Sequence, residues 1–248
     1  GVQTCALPIS LRSDVPGSRW RGLMAVAGLI LATSFGAGIA DAWLQPAAGV
    51  TVTATIAVDG PPKAARQSET RDLSDVVVWL KPVRPDDTPA PPSPAARARY
   101  RIVQQNKRFE PRLLVVPVGS TVDFPNLDPF FHNVFSLFDG RRFDLGLYEA
   151  GRSRSVDFSR AGVSYVFCNI HPEMSAVVVS VDTPYFGVST RAGAVSVSGV
   201  PPGRYALSVW HERFAVEHAA DYPRDVTVSA DGPSLGILRL VEIGRAHV

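Results

Sequence analysis

A seven-residue stretch in the second half of the chain carries three soft metal ligands. Cys168 follows a strand-like apolar run, and His171 and Met174 lie three and six residues further on. Thiolate and thioether sulfur suit Cu(I), and imidazole suits both copper oxidation states. A blue-copper centre needs two His and one Cys in a plane with a weak axial Met, so one imidazole is missing from this stretch. His132 is the candidate for that fourth ligand.

The sulfur content supports a metal-binding role for this stretch. The chain has two Cys and two Met, and the other members of each pair, Cys5 and Met24, lie near the N-terminus. If the N-terminal segment is removed on export, as argued below, Cys168 is the lone Cys of the mature chain. A lone Cys cannot form an internal disulfide, and metal ligation explains why Cys168 is present. The alternative is a buried, inert thiol. A structural zinc site of the Cys₂His₂ kind lacks its cysteines, and a dinuclear copper centre lacks a second loop Cys.

Composition narrows the class of protein. The chain has 248 residues, is 46% hydrophobic and carries a net charge of +2, and no run of Lys and Arg laced with aromatics occurs. This balance argues against nucleic acid as a partner. Twenty-one Pro and twenty Gly in a Val-rich chain indicate an all-β protein. No nucleophile elbow, P-loop or dinucleotide fingerprint is present, so we expect that the protein is not an enzyme.

The N-terminal region predicts export. Residues 10–42 combine three Arg, an apolar run over 23–39 and Ala40-Asp41-Ala42, which is typical of a signal helix and its cleavage site. The alternative is an uncleaved membrane anchor, and only then do we expect contact with a membrane. Either way the body of the protein is expected to be periplasmic or otherwise exported. Residues 1–9 and 242–248 resemble translated sequencing adapter, and we expect them to be artefacts.

Apolar alternation divides the remainder into blocks. Strand-like patterns over 50–58 and 76–80 precede a Pro/Ala-rich stretch, 83–99, that reads as a semi-stiff linker. A second set of strand-like runs occupies 100–186 and includes the metal-ligand stretch. Four more strand-like runs follow between 194 and 240.

Residues 100–182 resemble a cupredoxin, the blue-copper family of plastocyanin, pseudoazurin and amicyanin. The matching motifs are Phe109-Glu110-Pro111, Gly119-Ser120-Thr121-Val122-Asp123-Phe124, His132-Asn133-Val134 and Cys168-Asn169-Ile170-His171-Pro172-Glu173-Met174. The Cys-x₂-His-x₂-Met spacing is the short version seen in amicyanin. The resemblance implies a Greek-key β-sandwich at 100–186 with one type 1 copper, held by His132, Cys168, His171 and Met174. It also implies that Asn133 ties the two ligand loops together by hydrogen bonds.

The flanks, 49–82 and 187–241, resemble a carboxypeptidase-regulatory-like, transthyretin-like β-sandwich. Gly199-Val200-Pro201-Pro202-Gly203-Arg204-Tyr205-Ala206-Leu207 is its most typical segment. The resemblance implies a second, discontinuous small sandwich into which the cupredoxin is inserted. His211 and His218, with Glu212 and Glu217, either bind a metal or are surface side chains, and we favour the surface. Glu173 is expected to face solvent.

The expected function is one-electron transfer by a blue-copper protein to a transient redox partner that docks near His171. Two alternatives stay open. The first is a periplasmic copper carrier or sensor. The second is a β-sandwich binding module in which copper is only structural.

Overall fold

The chain folds into β-sandwiches, and a computed structural model describes residues 49–59, 71–83, 98–137, 140–216 and 223–242. Every regular element in these ranges is a strand, so the predicted all-β class is confirmed. The signal segment 10–42 and the segment 1–9 lie outside the described residues, as do 84–97 of the linker and 243–248. No membrane-spanning helix is found among the residues described.

The strands, in chain order, are β1 Val50–Asp59, β2 Val77–Pro82, β3 Arg99–Arg101, β4 Val103–Gln105, β5 Arg108–Glu110, β6 Leu113–Pro117, β7 Ser120–Pro125, β8 His132–Ser136, β9 Phe143–Tyr148, β10 Ser153–Phe158, β11 Gly162–Phe167, β12 Ser175–Val181, β13 Phe186–Val188, β14 Ala194–Val200, β15 Gly203–Trp210, β16 Phe214–Val216, β17 Arg224–Val228 and β18 Ser234–Glu242.

The first and last strands together build what we call the flanking sandwich. One sheet has the order β14-β1-β18-β16 and the other β13-β2-β15-β17. Val52, Ala54 and Ile56 of β1 are buried while the residues between them are exposed, because alternate side chains of a strand point to opposite faces. Leu80 and Tyr205 enter the same apolar core from the second sheet.

Strands β3 to β12 form what we call the inserted sandwich. Its sheets have the orders β10-β7-β3 and β6-β12-β11-β8-β9, and β4 and β5 make a separate hairpin. Its core includes Phe124, Val134, Phe158 and Val166, and it extends to Cys168 and Met174. The ligand candidates therefore lie at one end of a packed apolar core.

The two sandwiches share an apolar layer. Val77 of β2 and Val177 and Val179 of β12 are each at most 2% exposed and belong to one cluster. The described residues of both sandwiches fall in a single compact unit. Tyr185 and Phe186, which the sequence assigns to the inserted segment, lie in the flanking sandwich: Tyr185 packs in its core and Phe186 pairs with Trp79. Arg99, assigned to the linker, pairs with Thr121 in β3.

Candidate metal centre

The loop between β11 and β12 carries both candidate sulfur ligands, Cys168 and Met174. β11 ends at Phe167, so Cys168 is the first residue of the loop, and β12 begins again at Ser175. The Cys168 N–H donates to the Met174 carbonyl at 3.4 Å, and the Met174 N–H donates to the His171 carbonyl at 2.9 Å. These bonds hold the loop closed, so that His171 lies close to Cys168.

His132 is brought to this loop by strand pairing. It is the first residue of β8, which runs antiparallel to β11 with Phe135 opposite Phe167. In an antiparallel pair, residues before Phe135 lie opposite residues after Phe167. The start of β8 therefore faces the loop that carries Cys168 and His171.

Three ligand atoms converge there. His132 Nδ1 is 3.1 Å from His171 Nδ1, and Cys168 Sγ is 3.9 Å from the first nitrogen and 3.7 Å from the second. A metal ion at usual ligand distances in a trigonal plane separates the nitrogens by about 3.6 Å and each nitrogen from the sulfur by about 3.8 Å. The sulfur–nitrogen distances match these values, and the nitrogens need to part by only about 0.5 Å. The three side chains thus fit a single metal ion.

Burial makes the site closed on all but one side. His132 is 0% exposed and Cys168 4% exposed, while His171 is partly exposed. Met174 is 1% exposed and packs in the same apolar cluster as Cys168. The imidazole of His171 is therefore the part of the site nearest to solvent.

Asp128 orients His132 from the far side of its ring. His132 Nε2 lies 2.8 Å from Asp128 Oδ2, and Asp128 is 5% exposed. A carboxylate partner fixes the hydrogen on Nε2 and leaves the lone pair of Nδ1 directed at the metal position. The sequence did not reveal this role, because Asp128 lies in a Pro- and Asn-containing loop and reads as a turn residue. Its place four residues before His132 was the one available signal.

The carboxylate of Asp128 is itself held by a hairpin. The N–H groups of Asn106 and Lys107 donate to Asp128 Oδ1 and Oδ2 at 2.7 and 2.9 Å. Both residues have positive φ, 55° and 54°, as a tight turn between β4 and β5 requires. Burial raises the pKa of Asp128, but the Lys107 N–H, the His132 ring and the Asn106 N–H outweigh it, and the pKa falls below its ordinary value. The group is therefore a carboxylate at neutral pH.

Asn133 contacts the thiol through its main chain. Its N–H donates to Cys168 Sγ at 3.5 Å, whereas its side-chain Nδ2 donates to Asp144 Oδ1 at 2.7 Å. The cupredoxin resemblance implies that Asn133 ties the ligand loops together. In the structure its main-chain N–H contacts Cys168, a candidate ligand, and its side chain bonds to Asp144 of β9.

An aromatic ring packs beside both imidazoles. The ring of Phe130 lies 5.2 Å from that of His132 and 5.6 Å from that of His171. Four apolar side chains that lie within three residues of Phe130 or His171 in the chain, or opposite Asn133 in the β8–β9 pairing, are between 46% and 54% exposed: Leu127, Phe131, Leu147 and Ile170. We call these four side chains the apolar rim.

The other candidate ligands are placed elsewhere. Glu173 is exposed, as expected. The surface assignment of His211 is wrong: it is 8% exposed, and its Nδ1 accepts the N–H of Arg213 at 3.0 Å. His218 and Glu217 lie outside the described residues. Among the His, Cys, Asp and Glu side chains of the described ranges, one group of three or more has all its ligand atoms within 4.8 Å of one another. This group consists of His132, Cys168 and His171.

Comparison with known proteins gives similarity to cupredoxins over part of the chain. No family model and no curated protein matches. A purple cupredoxin from Nitrosopumilus maritimus is 24% identical, with 33% of this chain and 99% of that chain covered and a TM-score of 0.30. A reduced mutant of amicyanin is 24% identical, with 36% and 95% covered and a TM-score of 0.32.

A third similar structure is larger. The copper-containing nitrite reductase from Thermus scotoductus SA-01 is 23% identical, with 41% of this chain and 25% of that chain covered and a TM-score of 0.32. This chain therefore matches a quarter of the nitrite reductase.

Proposed function

We propose that this chain is an exported protein that holds one type 1 copper ion and transfers single electrons. The observation that carries the proposal is the convergence of His132 Nδ1, His171 Nδ1 and Cys168 Sγ, whose distances of 3.1, 3.9 and 3.7 Å are close to those that one shared metal ion requires. Met174 is buried in the same apolar cluster as Cys168 and is the proposed weak axial ligand.

The donor set favours copper. Because Asp128 accepts a hydrogen bond from His132 Nε2, the Nδ1 atom presents a lone pair, and it faces a second imidazole nitrogen and a sulfur. This electron-rich pocket attracts a cation, and the soft thiolate and thioether select copper over harder metals. Bound copper supplies a one-electron redox couple.

The surroundings of the ligands favour electron transfer over catalysis. Four protein ligands would leave no open position for a substrate, and His132 and Cys168 are buried. The hydrogen bond that His132 Nε2 donates to Asp128 and the one that the Asn133 N–H donates to Cys168 Sγ hold two of the proposed ligands from outside the site. A site held rigid in this way changes little in geometry when an electron enters or leaves.

The apolar rim supports transient docking of a redox partner at His171. Leu127, Phe131, Leu147 and Ile170 are each about half exposed. Apolar side chains lose little by desolvation and can bind and release a partner quickly, as small transient interfaces do. The net charge of +2 is small for a chain of 248 residues and does not favour nucleic acid as the partner.

The sequence supports the proposed location of the protein and the proposed nature of the flanking sandwich. The signal-like segment 10–42 supports a periplasmic or exported protein, with membrane contact only if that segment is retained. We further propose that the flanking sandwich is a carboxypeptidase-regulatory-like module that supports the copper-binding one.

Colour tests the proposal. The mature chain loaded with Cu(II) should be intensely blue, violet or green from thiolate-to-copper charge transfer, and Cys168→Ser should be colourless. His211→Gln is the matched control, since it removes a buried imidazole outside the cluster, and it should keep the colour. A colourless wild type that binds no copper would end the proposal.

The carrier alternative has one observation in its favour, the partly exposed edge of His171, through which a copper ion could be exchanged. The rate at which a chelator removes Cu(I) distinguishes a copper carrier from an electron-transfer protein. Release in seconds, together with poor one-electron cycling, would favour a carrier. Reversible cycling with slow release supports electron transfer.

A further inference from the structure

The pairing of β8 with β9 contains a bulge beside the metal ligands. Asn133 lies opposite Leu147, whereas Phe135 lies opposite Asp144. Two steps along β8 therefore match three steps along β9, and Gly146 takes the positive φ of 64° at this point. Bulges of this kind often lie beside functional sites, where they redirect a side chain.

The carboxylate of Asp144 connects this bulge to β8. Its Oδ1 accepts the N–H of Gly146 at 2.8 Å and the Nδ2 of Asn133 at 2.7 Å. These two bonds lower the pKa of Asp144, the Gly146 N–H contributing more than Asn133, so the group is a carboxylate at neutral pH. One exposed side chain thus fixes both the bulge and the residue that follows His132.

The side-chain amide of Asn133 has one hydrogen-bond partner among the described residues. Its Oδ1 is buried and has no hydrogen-bond partner there, so Nδ2 makes the side chain's bond, to Asp144. Turning the amide over would place an oxygen against a carboxylate, which is repulsive. Asp144 therefore sets the orientation of this side chain.

The main chain of the same residue reaches the metal ligand. The Asn133 N–H donates to Cys168 Sγ at 3.5 Å. Hydrogen bonds to the ligand sulfur draw electron density from it and tune the redox potential of a copper–thiolate site. Any group that fixes the position of Asn133 thereby influences this bond.

We propose that Asp144 is a positioning residue that acts through Asn133 on the Cys168 thiolate and favours the reduced state of the site. The proposal rests on the copper function proposed above. Because Asp144 is exposed, its replacement leaves the apolar core intact, and the effect can be read without unfolding the protein.

Two substitutions separate position from charge. Asp144→Asn removes the charge but keeps an oxygen that can accept both hydrogen bonds, whereas Asp144→Ala removes both. Loss of negative charge alone favours Cu(I) in either variant. Loss of the positioning bonds should shift the equilibrium of the Ala variant toward Cu(II), by about two- to tenfold relative to the Asn variant, since a hydrogen bond contributes about 0.5–1.5 kcal/mol.

The equilibrium is measured by titrating the copper-loaded protein against a redox buffer. Asp157→Ala is the matched control, because Asp157 is also exposed and accepts one side-chain hydrogen bond, from Thr121 at 2.6 Å, but lies on β10 in the other sheet. It should show only the small shift that comes from charge. Equal shifts in both Asp144 variants would overturn the proposal.

A metal-free measurement keeps this test independent of the proposed function. The main-chain N–H of Asn133 should exchange with solvent about two- to tenfold faster in metal-free Asp144→Ala than in metal-free Asp144→Asn. Faster exchange in a chain that never turns blue would refute the copper function and leave the positioning role standing. Unchanged exchange would refute the positioning role whatever the colour.

Discussion

Replacing Asp128 by Ala should weaken copper binding without removing a ligand. In the structure this carboxylate accepts three hydrogen bonds, from the N–H groups of Asn106 and Lys107 and from His132 Nε2. The two turn residues are exposed, so their N–H groups can bind water after the change. The Nε2–H of His132 cannot, because this ring is 0% exposed.

The magnitude follows from that unpaired donor. A buried donor left without its partner costs about 1–3 kcal/mol, which is the expected loss of stability of the metal-free protein. The imidazole also loses the partner that keeps the hydrogen on Nε2, so part of the population will carry it on Nδ1, where it blocks the metal. Loss of such a partner typically lowers metal affinity by about 10- to 100-fold.

Asp128→Asn is the matched comparison. Its oxygen can occupy the position of Oδ2 and keep the bonds to His132 and Lys107, at the expense of the bond to Asn106. We therefore expect a smaller loss, of about 1 kcal/mol in stability and less than tenfold in affinity. The order wild type, Asn variant, Ala variant is the prediction.

Two measurements check it. Urea unfolding of the metal-free variants gives stability, and competition with a chelator, read by the charge-transfer band, gives copper affinity. If Asp128→Ala binds copper within twofold of the wild type, the carboxylate does not orient the ligand and this reasoning is wrong.

Three further predictions concern other parts of the molecule. Met174→Leu should keep the charge-transfer colour while changing the redox potential, because a weak axial ligand tunes the copper and the Cys produces the colour; a colourless variant would contradict this. Burial, and after it the nearby Arg213, lowers the pKa of His211 in the folded chain. The unfolded chain therefore binds the proton first, and the free energy of unfolding should fall as the pH drops below about 6.5. His211→Gln should abolish this pH dependence in unfolding measurements made from about pH 7 to 5. Val179→Asp places a charge in the shared apolar layer, where Val179 is 2% exposed, and should lower the free energy of unfolding by several kcal/mol. Arg191→Asp, at an exposed position, is the control and should change it little. Thermal unfolding of both variants checks this.

The residues that converge at the site could be named from the sequence because their types are rare. Cys168 and His171 share one short loop, and His132 begins an apolar run, so residue type and spacing were enough to propose them. Their meeting depends on one pairing, Phe135 with Phe167, that juxtaposes the two segments. This pairing joins residues 32 positions apart, and nothing local in the sequence specifies it.

The supporting carboxylates could not be predicted because they are ordinary residues in turns and at strand ends. Asp128 and Asp144 read locally as turn-forming residues, which Asp is by preference. Their roles arise from contacts across strands: a hairpin turn supplies two N–H groups to the first, and a bulge brings the second opposite Phe135. Composition and periodicity do not encode such contacts.

Strand β12 shows why its sequence lacks alternation. A strand with one face in solvent alternates apolar and polar residues, but Ala176-Val177-Val178-Val179 is continuously apolar. In the structure Ala176 and Val178 face the core that contains Cys168, and Val177 and Val179 face the layer shared with the flanking sandwich. The loop that carries Cys168 and His171 ends at Ser175, where β12 begins. The C-terminal end of this loop is therefore fixed by the packing on both faces of β12. The flanking sandwich thereby supports the candidate metal centre, although the proposed ligands all lie in the inserted sandwich.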